Sequence, residues 1–262
     1  MSAAITRKSE LAGRLGELPP ALTQGLAVRA ALRTVALLEP WLAADEEAAA
    51  PMLLPTLRAL AVGHAAAVKL AAGGHVGALA ALSDAGLTTA AVDEAVKHAT
   101  KAVALATSVI VGTQAKNVFH IARIAFSASV RAAFCLCSNA AAGPDAALRA
   151  IMFIAEETKT FPAAAADCAA ADAEDAAAWL AATPLWLGKE PRWSAEGWPA
   201  MKSRLLARDG EEWRVWTDWY EARRDPQAGD ATALEVAVFR LDEMHWRNGP
   251  KEANPLLARF IG

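Results

Sequence analysis

Apolar positions along the chain recur at helical spacing, and alternating apolar and polar runs typical of strands are almost absent. Alanine and leucine fill the periodic stretches, and glycine and proline separate them. The pattern predicts an all-α protein, built as an Ala-rich helical bundle with a small Trp-rich helical C-terminal module packed on it. The predicted helices cover, approximately, residues 20–39, 51–72, 88–111, 114–141, 145–159 and 162–182.

A change in composition near residue 183 divides the chain into two predicted parts. Residues 1–182, the Ala-rich helical body, hold 30 charged side chains, whereas the 80 residues 183–262 hold 25. Seven of the nine tryptophans also lie in the second part, which is therefore a charged, Trp-rich helical module. Because a segment of this length without disulfides makes a marginal core, we expect the module to pack on the body.

The overall composition excludes several classes of protein. The 262 residues are 55% hydrophobic, with a mean hydropathy of +0.21 and a net charge of −3, which excludes a disordered chain and a strongly basic nucleic-acid binder. The longest runs free of charged residues are 14 residues, Leu70–Ser83 and Ala102–Ala115, and a membrane span needs about 20. With three cysteines and no secretory signal pattern, we expect a cytoplasmic protein without a membrane span and with no nucleic-acid partner.

Motifs that carry enzyme chemistry are missing from the sequence. The five histidines show no metal-ligand spacing, and no Walker loop, dinucleotide-binding glycine motif or nucleophile elbow occurs. We therefore predict no metal, no cofactor and no catalytic residue. Scattered residues can still form an active site, so an enzyme stays as the alternative.

A basic stripe runs along the predicted helix 114–141. No acidic residue occurs between Ala95 and Pro144, and polar residues recur at steps of three or four. The stripe is either an anion-binding surface or a solvated face that pairs with the acidic segment between Lys159 and Lys189. In the alternative function, a hydrolase or a phosphate-group enzyme, the site lies between this stripe and carboxylates such as Glu156 or Asp218. The stripe comprises Lys116, His120, Arg123, Ser127 and Arg131.

Aromatic residues of the C-terminal module also follow a helical spacing. Trp213, Trp216 and Tyr220 form one stripe on a helix predicted to begin near Asp209 and to end at Arg223–Arg224, and Trp219 flanks it within reach of Arg223 for a cation–π contact. Bulky aromatics of this kind are either core anchors or interface hot spots. We predict a partner-binding surface made by Trp213, Trp216, Trp219, Tyr220, Arg223 and Trp246. We further expect Asn254 to cap the last helix, with Pro255 at its first position.

The C-terminal module contains the spacing W-x-x-W-x-x-W-Y-x-x-R, which is preceded by P-L-W and followed by W-x-x-G-P-x-x-x-N at Trp246–Asn254. In this spacing the module resembles the tail of an uncharacterised, mostly proteobacterial family of Ala-rich helical proteins. The segment Arg29–Arg33 is similar to the R-A-A-L-R opening of these proteins, although Arg224 departs from their pattern. The resemblance covers the module well and the body loosely. It implies a docking or packing module and no established activity. We therefore predict a non-enzymatic interaction protein that binds another protein through this tail, with its oligomeric state left open.

Overall fold

The computed structural model describes residues 5–44, 53–69, 143–171 and 175–262, together with single positions 49, 71, 124, 125, 127, 128 and 131. Every regular element in these ranges is helical, which confirms the all-α prediction. In chain order the helices are α1 (Lys8–Glu17), α2 (Pro20–Arg33), a 3₁₀ helix (Thr34–Leu38), α3 (Glu39–Ala44), α4 (53–69), α5 (Gly143–Glu157), α6 (Phe161–Ala170), α7 (Ala176–Ala182), α8 (Arg192–Arg224), α9 (Thr232–Ala237), α10 (Glu243–Arg247) and α11 (Pro250–Ile261).

Helix α2 is the centre of the fold. Pro20 occupies its first turn, where no backbone donor is needed, and every residue from Leu22 to Arg33 is buried. The helix packs along α5, and the 3₁₀ helix and α3 that continue from it pack against α8. Gly25 permits a close approach by a further helix, because a Cβ at this position would lie 2.6 Å from Leu180 of α7. An apolar helix that neighbours surround in this way is the expected outcome for a sequence without a polar face.

The stretch Pro20–Ala44 is long and apolar enough to cross a membrane, judged by length and composition alone. However, 89% of its most apolar window is buried inside the protein. Core helices of globular proteins share these properties, so the stretch is accounted for by its packing among the other helices.

Helix α8 is longer than the sequence predicts. It begins at Arg192 and continues through Gly210 to Arg224, whereas the predicted helix begins near Asp209. Buried side chains on both sides of the glycine explain the difference, because Met201 and Leu205 precede it and Trp213 follows it in one core. Tertiary packing here outweighs the low helix propensity of glycine.

One other predicted helix differs from the structure, and two lie wholly or mostly outside the described residues. The predicted helix 162–182 is divided into α6 and α7, and Asp175 caps the second by accepting a 2.9 Å hydrogen bond from the backbone N–H of Ala178. The predicted helix 88–111 and most of 114–141 lie outside the described residues; the five described positions within the latter are helical.

Candidate functional site

The aromatic stripe of α8 lies in the core of the protein. Trp213, Trp216, Trp219 and Tyr220 are between 0% and 2% exposed, and Trp246 of α10 packs against them with 7% exposed. The stripe was predicted to be either part of the core or a partner surface, and in the structure it is part of the core. The residues predicted to bind a partner therefore present almost no surface to one in this conformation.

Buried hydrogen bonds fix the orientation of three of these indole rings, of which Trp219 donates to Oε1 of Glu235 at 3.1 Å. The Nε1–H of Trp216 donates to Oδ1 of Asn254 at 2.7 Å, and that of Trp246 donates to the carbonyl of Leu241 at 3.1 Å. The prediction for Asn254 is wrong: α11 begins at Pro250 after Gly249, which has a φ of 87°, so Asn254 lies inside the helix and is fully buried. Asparagine can cap a helix, and its amide can also accept a hydrogen bond from a buried indole. The residue type alone therefore does not distinguish the two roles.

Arg223 belongs to a buried ionic cluster that joins three helices. Its Nε lies 2.8 Å from Oε1 of Glu235 on α9, and the same oxygen lies 3.1 Å from Nδ1 of His64 on α4 and accepts a 3.1 Å hydrogen bond from Trp219. Burial alone would raise the pKa of Glu235, but His64, Arg223 and Trp219 together hold it below its ordinary value. Arg223 thus binds a carboxylate instead of the indole face that we predicted for it.

A second buried cluster, the arginine latch, fastens the start of the C-terminal module to α2. Arg29 and Arg33 lie on one face of α2 and both contact Asp167 of α6, at 3.3 Å and 2.7 Å, with all three side chains 2–3% exposed. Burial lowers the pKa of Arg29, and the Asp167 carboxylate opposes this effect. The guanidinium groups also donate to three consecutive backbone carbonyls, those of Thr183, Pro184 and Leu185, at 2.7–2.9 Å.

Aromatic side chains complete the latch. The Arg29 guanidinium lies 4.9 Å from the ring centre of Trp179, and that of Arg33 lies 5.1 Å from Trp186. The hydroxyl of Tyr220 donates to the carbonyl of Leu32 at 2.9 Å, which ties α8 to the same turn of α2. These contacts span the predicted boundary at residue 183 and make the module and the body one packed unit.

This role of the two arginines is not among the sequence-based predictions, which name them only in the R-A-A-L-R resemblance. The sequence nevertheless contains a stronger signal. Two arginines four residues apart interrupt a stretch from Leu22 to Leu38 that is otherwise apolar or small apart from Thr23, Gln24 and Thr34. Charged residues on a helix with no polar face must be paired inside the protein.

The basic stripe is only partly within the described residues. Lys116, His120 and Arg123 lie outside them, whereas Arg131 is exposed and stacks 4.5 Å from the ring centre of Phe153 on α5. Of the two carboxylates considered with the stripe, Asp218 is exposed on α8. Glu156 on α5 forms a 2.8 Å ion pair with Lys8, and its hydrogen bond with that lysine lowers the pKa of Glu156.

Near this ion pair, an open cleft of about 320 Å³ lies between the start of α1 and the end of α5. Two lysines and one carboxylate supply its charge, and a half-buried aromatic ring forms part of its wall. The cleft is lined by Thr6, Lys8, Ala155, Glu156, Lys159 and Phe161.

A second accessible feature, the C-terminal surface, is apolar and basic. Among the described residues, five large hydrophobic side chains are exposed, and four of them belong to the last three helices: Val236, Met244, Phe260 and Ile261. Both α9 and α10 pack on α11, so these four side chains lie on adjoining helices. We call these four side chains, with the exposed cations Arg240, Lys251 and Arg259 of the same segment 232–262, the C-terminal surface.

Neither feature contains a cluster typical of a metal site, since no group of three histidine, cysteine or acidic side chains converges within the described part of the chain. Comparisons with protein-family models, with curated proteins and with solved structures find no match to this chain.

Proposed function

We propose that this chain is a non-enzymatic protein–protein interaction protein whose C-terminal module docks a partner through the C-terminal surface. One observation carries the proposal: the exposed large hydrophobic side chains of the described chain are concentrated on α9, α10 and α11. Met244 is 63% exposed and Phe260 is 46% exposed. Clustered exposure of this kind is typical of docking surfaces, whereas single exposed apolar residues have no such meaning.

The arrangement of α11 supports this function. Ala253 and Leu257 form an apolar stripe that is buried for two turns, and Phe260 and Ile261 continue the same stripe in the last turn, where they are 46% and 39% exposed. The helix thus offers the end of an apolar face that its own module does not cover. A partner that buries this last turn gains the hydrophobic contribution that the fold leaves unused.

Charge indicates the chemistry of the partner. Three of the four acidic residues of the segment 232–262 are already paired: Glu235 with Arg223, Glu243 with Arg58 and Glu252 with His245. Within the described ranges, Arg240, Lys251 and Arg259 have no carboxylate within ion-pair distance. A surface with apolar anchors and unneutralised cations complements an acidic amphipathic helix, which supplies apolar residues on one side and carboxylates at the rim.

The function is tested by crosslinking in the native host. A photoreactive amino acid replaces Met244, and a matched control places it at Glu17, which is exposed on α1. We expect a discrete crosslinked partner with an acidic amphipathic segment from position 244 and none from position 17. The double variant Phe260→Asp with Ile261→Asp removes the crosslink, whereas Ala258→Asp on another side of α11 keeps it. A hot-spot contribution of about 2 kcal/mol corresponds to roughly 30-fold weaker binding.

Three results contradict the proposal. The first is identical crosslinking from both positions, and the second is a crosslink that survives the Phe260 and Ile261 substitutions in a folded variant. The third is a crosslink to a second copy of the chain, which would make the surface a homo-oligomer interface.

A further inference from the structure

The cleft between α1 and α5 has an unusual residue at its mouth. Lys159 adopts a φ of 57°, and it is the one non-glycine residue with a positive φ in the described part of the chain. It follows the end of α5, where the N–H of Thr160 donates to the carbonyl of Ala155 at 3.1 Å and closes the helix. Glycine is the usual residue at this position of a helix end, because it has no Cβ to oppose a left-handed backbone.

Packing does not explain why a lysine stands there. The Lys159 side chain is exposed, and the turn is fixed by its neighbours, since the buried hydroxyls of Thr158 and Thr160 lie 2.7 Å apart. A strained backbone with an exposed cation on a concave surface is a feature that functional sites share. The lysine therefore points to a role for its charge.

The charge around the cleft is predominantly positive. Lys8 and Lys159 outnumber Glu156 within it. On the adjoining face of α5, the exposed Arg149 lies one turn before Phe153, the ring on which Arg131 stacks. Glu157 is exposed at this end of α5, and exposed Glu10 accepts a 2.9 Å hydrogen bond from the N–H of Thr6, so these two carboxylates offset the two arginines in number. The excess of positive charge is therefore that of the lining itself, two lysines against one carboxylate. The excess of cations favours an anionic ligand.

The rest of the lining restricts the ligand further. Ala155 and half-buried Phe161 give the cleft an apolar wall beside the two ammonium groups. Its volume of about 320 Å³ lies at the small end of the range for ligand sites, roughly 300–1,000 Å³. Two separate cations match the multiple acceptor oxygens of a phosphate group.

We propose that this cleft binds a small phosphate monoester that carries an apolar group. The ammonium groups of Lys8 and Lys159 hold the phosphate, and the apolar group lies against Phe161. Lys8 exchanges its ion pair with Glu156 for the phosphate, which carries more charge. This site shares no residue with the C-terminal surface, so it stands or fails independently of the proposed function.

Calorimetric titration of the full chain with phenyl phosphate tests the site, with inorganic phosphate and phenol as separate probes. We expect phenyl phosphate to bind more tightly than either fragment. Lys159→Gly relieves the strained backbone while it removes the cation, so it raises the midpoint of thermal unfolding and weakens phenyl phosphate binding about tenfold, the effect of losing one charge-assisted contact. The control Lys189→Ala removes an exposed cation elsewhere and leaves binding unchanged.

Phe161→Leu separates the two parts of the ligand. We expect it to weaken the binding of phenyl phosphate and to leave that of inorganic phosphate unchanged. The proposal is overturned if phenyl phosphate does not bind, or if folded Lys159→Gly binds it as the unaltered chain does. It is also overturned if inorganic phosphate binds as tightly as phenyl phosphate, because the apolar wall would then contribute nothing.

Discussion

Replacing Asp167 by asparagine removes the single carboxylate of the arginine latch and leaves the shape of the side chain nearly unchanged. Two guanidinium groups then remain buried beside each other, with backbone carbonyls, aromatic faces and the neutral amide oxygen of the asparagine as their partners and no negative charge. Asp167 lies 3.3 Å from Arg29 and 2.7 Å from Arg33, and all three side chains are 2–3% exposed. The variant therefore tests whether the latch holds the module on α2.

The expected loss is large because solvent cannot replace the missing charge. At an effective dielectric constant of about 20, each contact of this length corresponds to roughly 5–6 kcal/mol of Coulomb attraction before desolvation. Measured losses on removing one partner from a buried ion pair are smaller, about 3–5 kcal/mol, and we expect Asp167→Asn to fall in that range. A loss of this size is a substantial fraction of the ~5–15 kcal/mol that stabilises a typical domain.

Urea unfolding followed by tryptophan fluorescence measures this loss. The matched control is Asp218→Asn, which changes an exposed carboxylate on α8 and should alter the free energy of unfolding by less than about 0.5 kcal/mol. Arg33→Lys keeps the positive charge but cannot reproduce the paired contacts of Nε and Nη2 with Leu185, so we expect an intermediate loss of about 1–3 kcal/mol. If Asp167→Asn proves no more destabilising than Asp218→Asn, the latch does not hold the fold together.

Three further predictions address single buried or strained groups. Burial raises the pKa of Tyr220, the only tyrosine of the chain, so the absorbance of the folded protein should stay that of the neutral phenol above pH 10.0. The free energy of unfolding should begin to fall at that pH, because the unfolded chain releases the tyrosine proton there. A tyrosinate signal in the folded protein near pH 10.0 would refute this prediction. The pKa of Glu235 lies below its ordinary value of 4.5, so the contribution of this carboxylate to the free energy of unfolding is present above pH 4.5 and is lost as the pH falls below that value. In Glu235→Gln this acid-dependent part of the unfolding free energy should be missing. A variant with the same pH profile as the unaltered chain would contradict the role of the cluster. Lys159→Gly should stabilise the chain by about 1 kcal/mol in urea unfolding, whereas Lys159→Ala, which keeps the strained Cβ, should give no such gain.

The sequence predicts the helical class well because helix formation here is locally encoded. Apolar spacing, alanine content and the proline and glycine boundaries all operate within one or two turns. The end of α8 at Arg224 and the existence of α2, α4 and α5 follow from such signals. The continuation of α8 through Gly210 does not, because it depends on what packs against the two sides of that glycine.

The roles of polar residues depend on partners far away in the chain. Arg33 donates to a carbonyl 152 residues later, and Trp216 donates to an amide 38 residues later. The helical spacing places Trp216 on an apolar face of its helix. A core anchor and an interface hot spot, however, have the same local sequence pattern. Only the positions of α9, α10 and α11 over the α8 stripe distinguish the two possibilities.

The C-terminal surface and the cleft were inaccessible to sequence reasoning for a related reason. Phe260 and Ile261 have the same helical spacing as the buried Leu257, and their exposure follows from where the neighbouring helices end. Lys159 is one lysine among many in the sequence, and its positive φ is set by the helix end that Thr160 closes. No local sequence pattern distinguishes these residues from others of the same type.

The central claim is that the tryptophan stripe is part of the protein core and not an exposed partner-binding surface. Exchange of the indole N–H protons with solvent deuterium, followed by NMR, tests it most directly. We predict that the indole protons of Trp216, Trp219 and Trp246, which donate to Asn254, Glu235 and Leu241, exchange only through global unfolding. The half-buried Trp193 serves as the internal reference for fast exchange. Exchange of the three buried indoles at the rate of Trp193, in a protein that remains folded, would contradict the account.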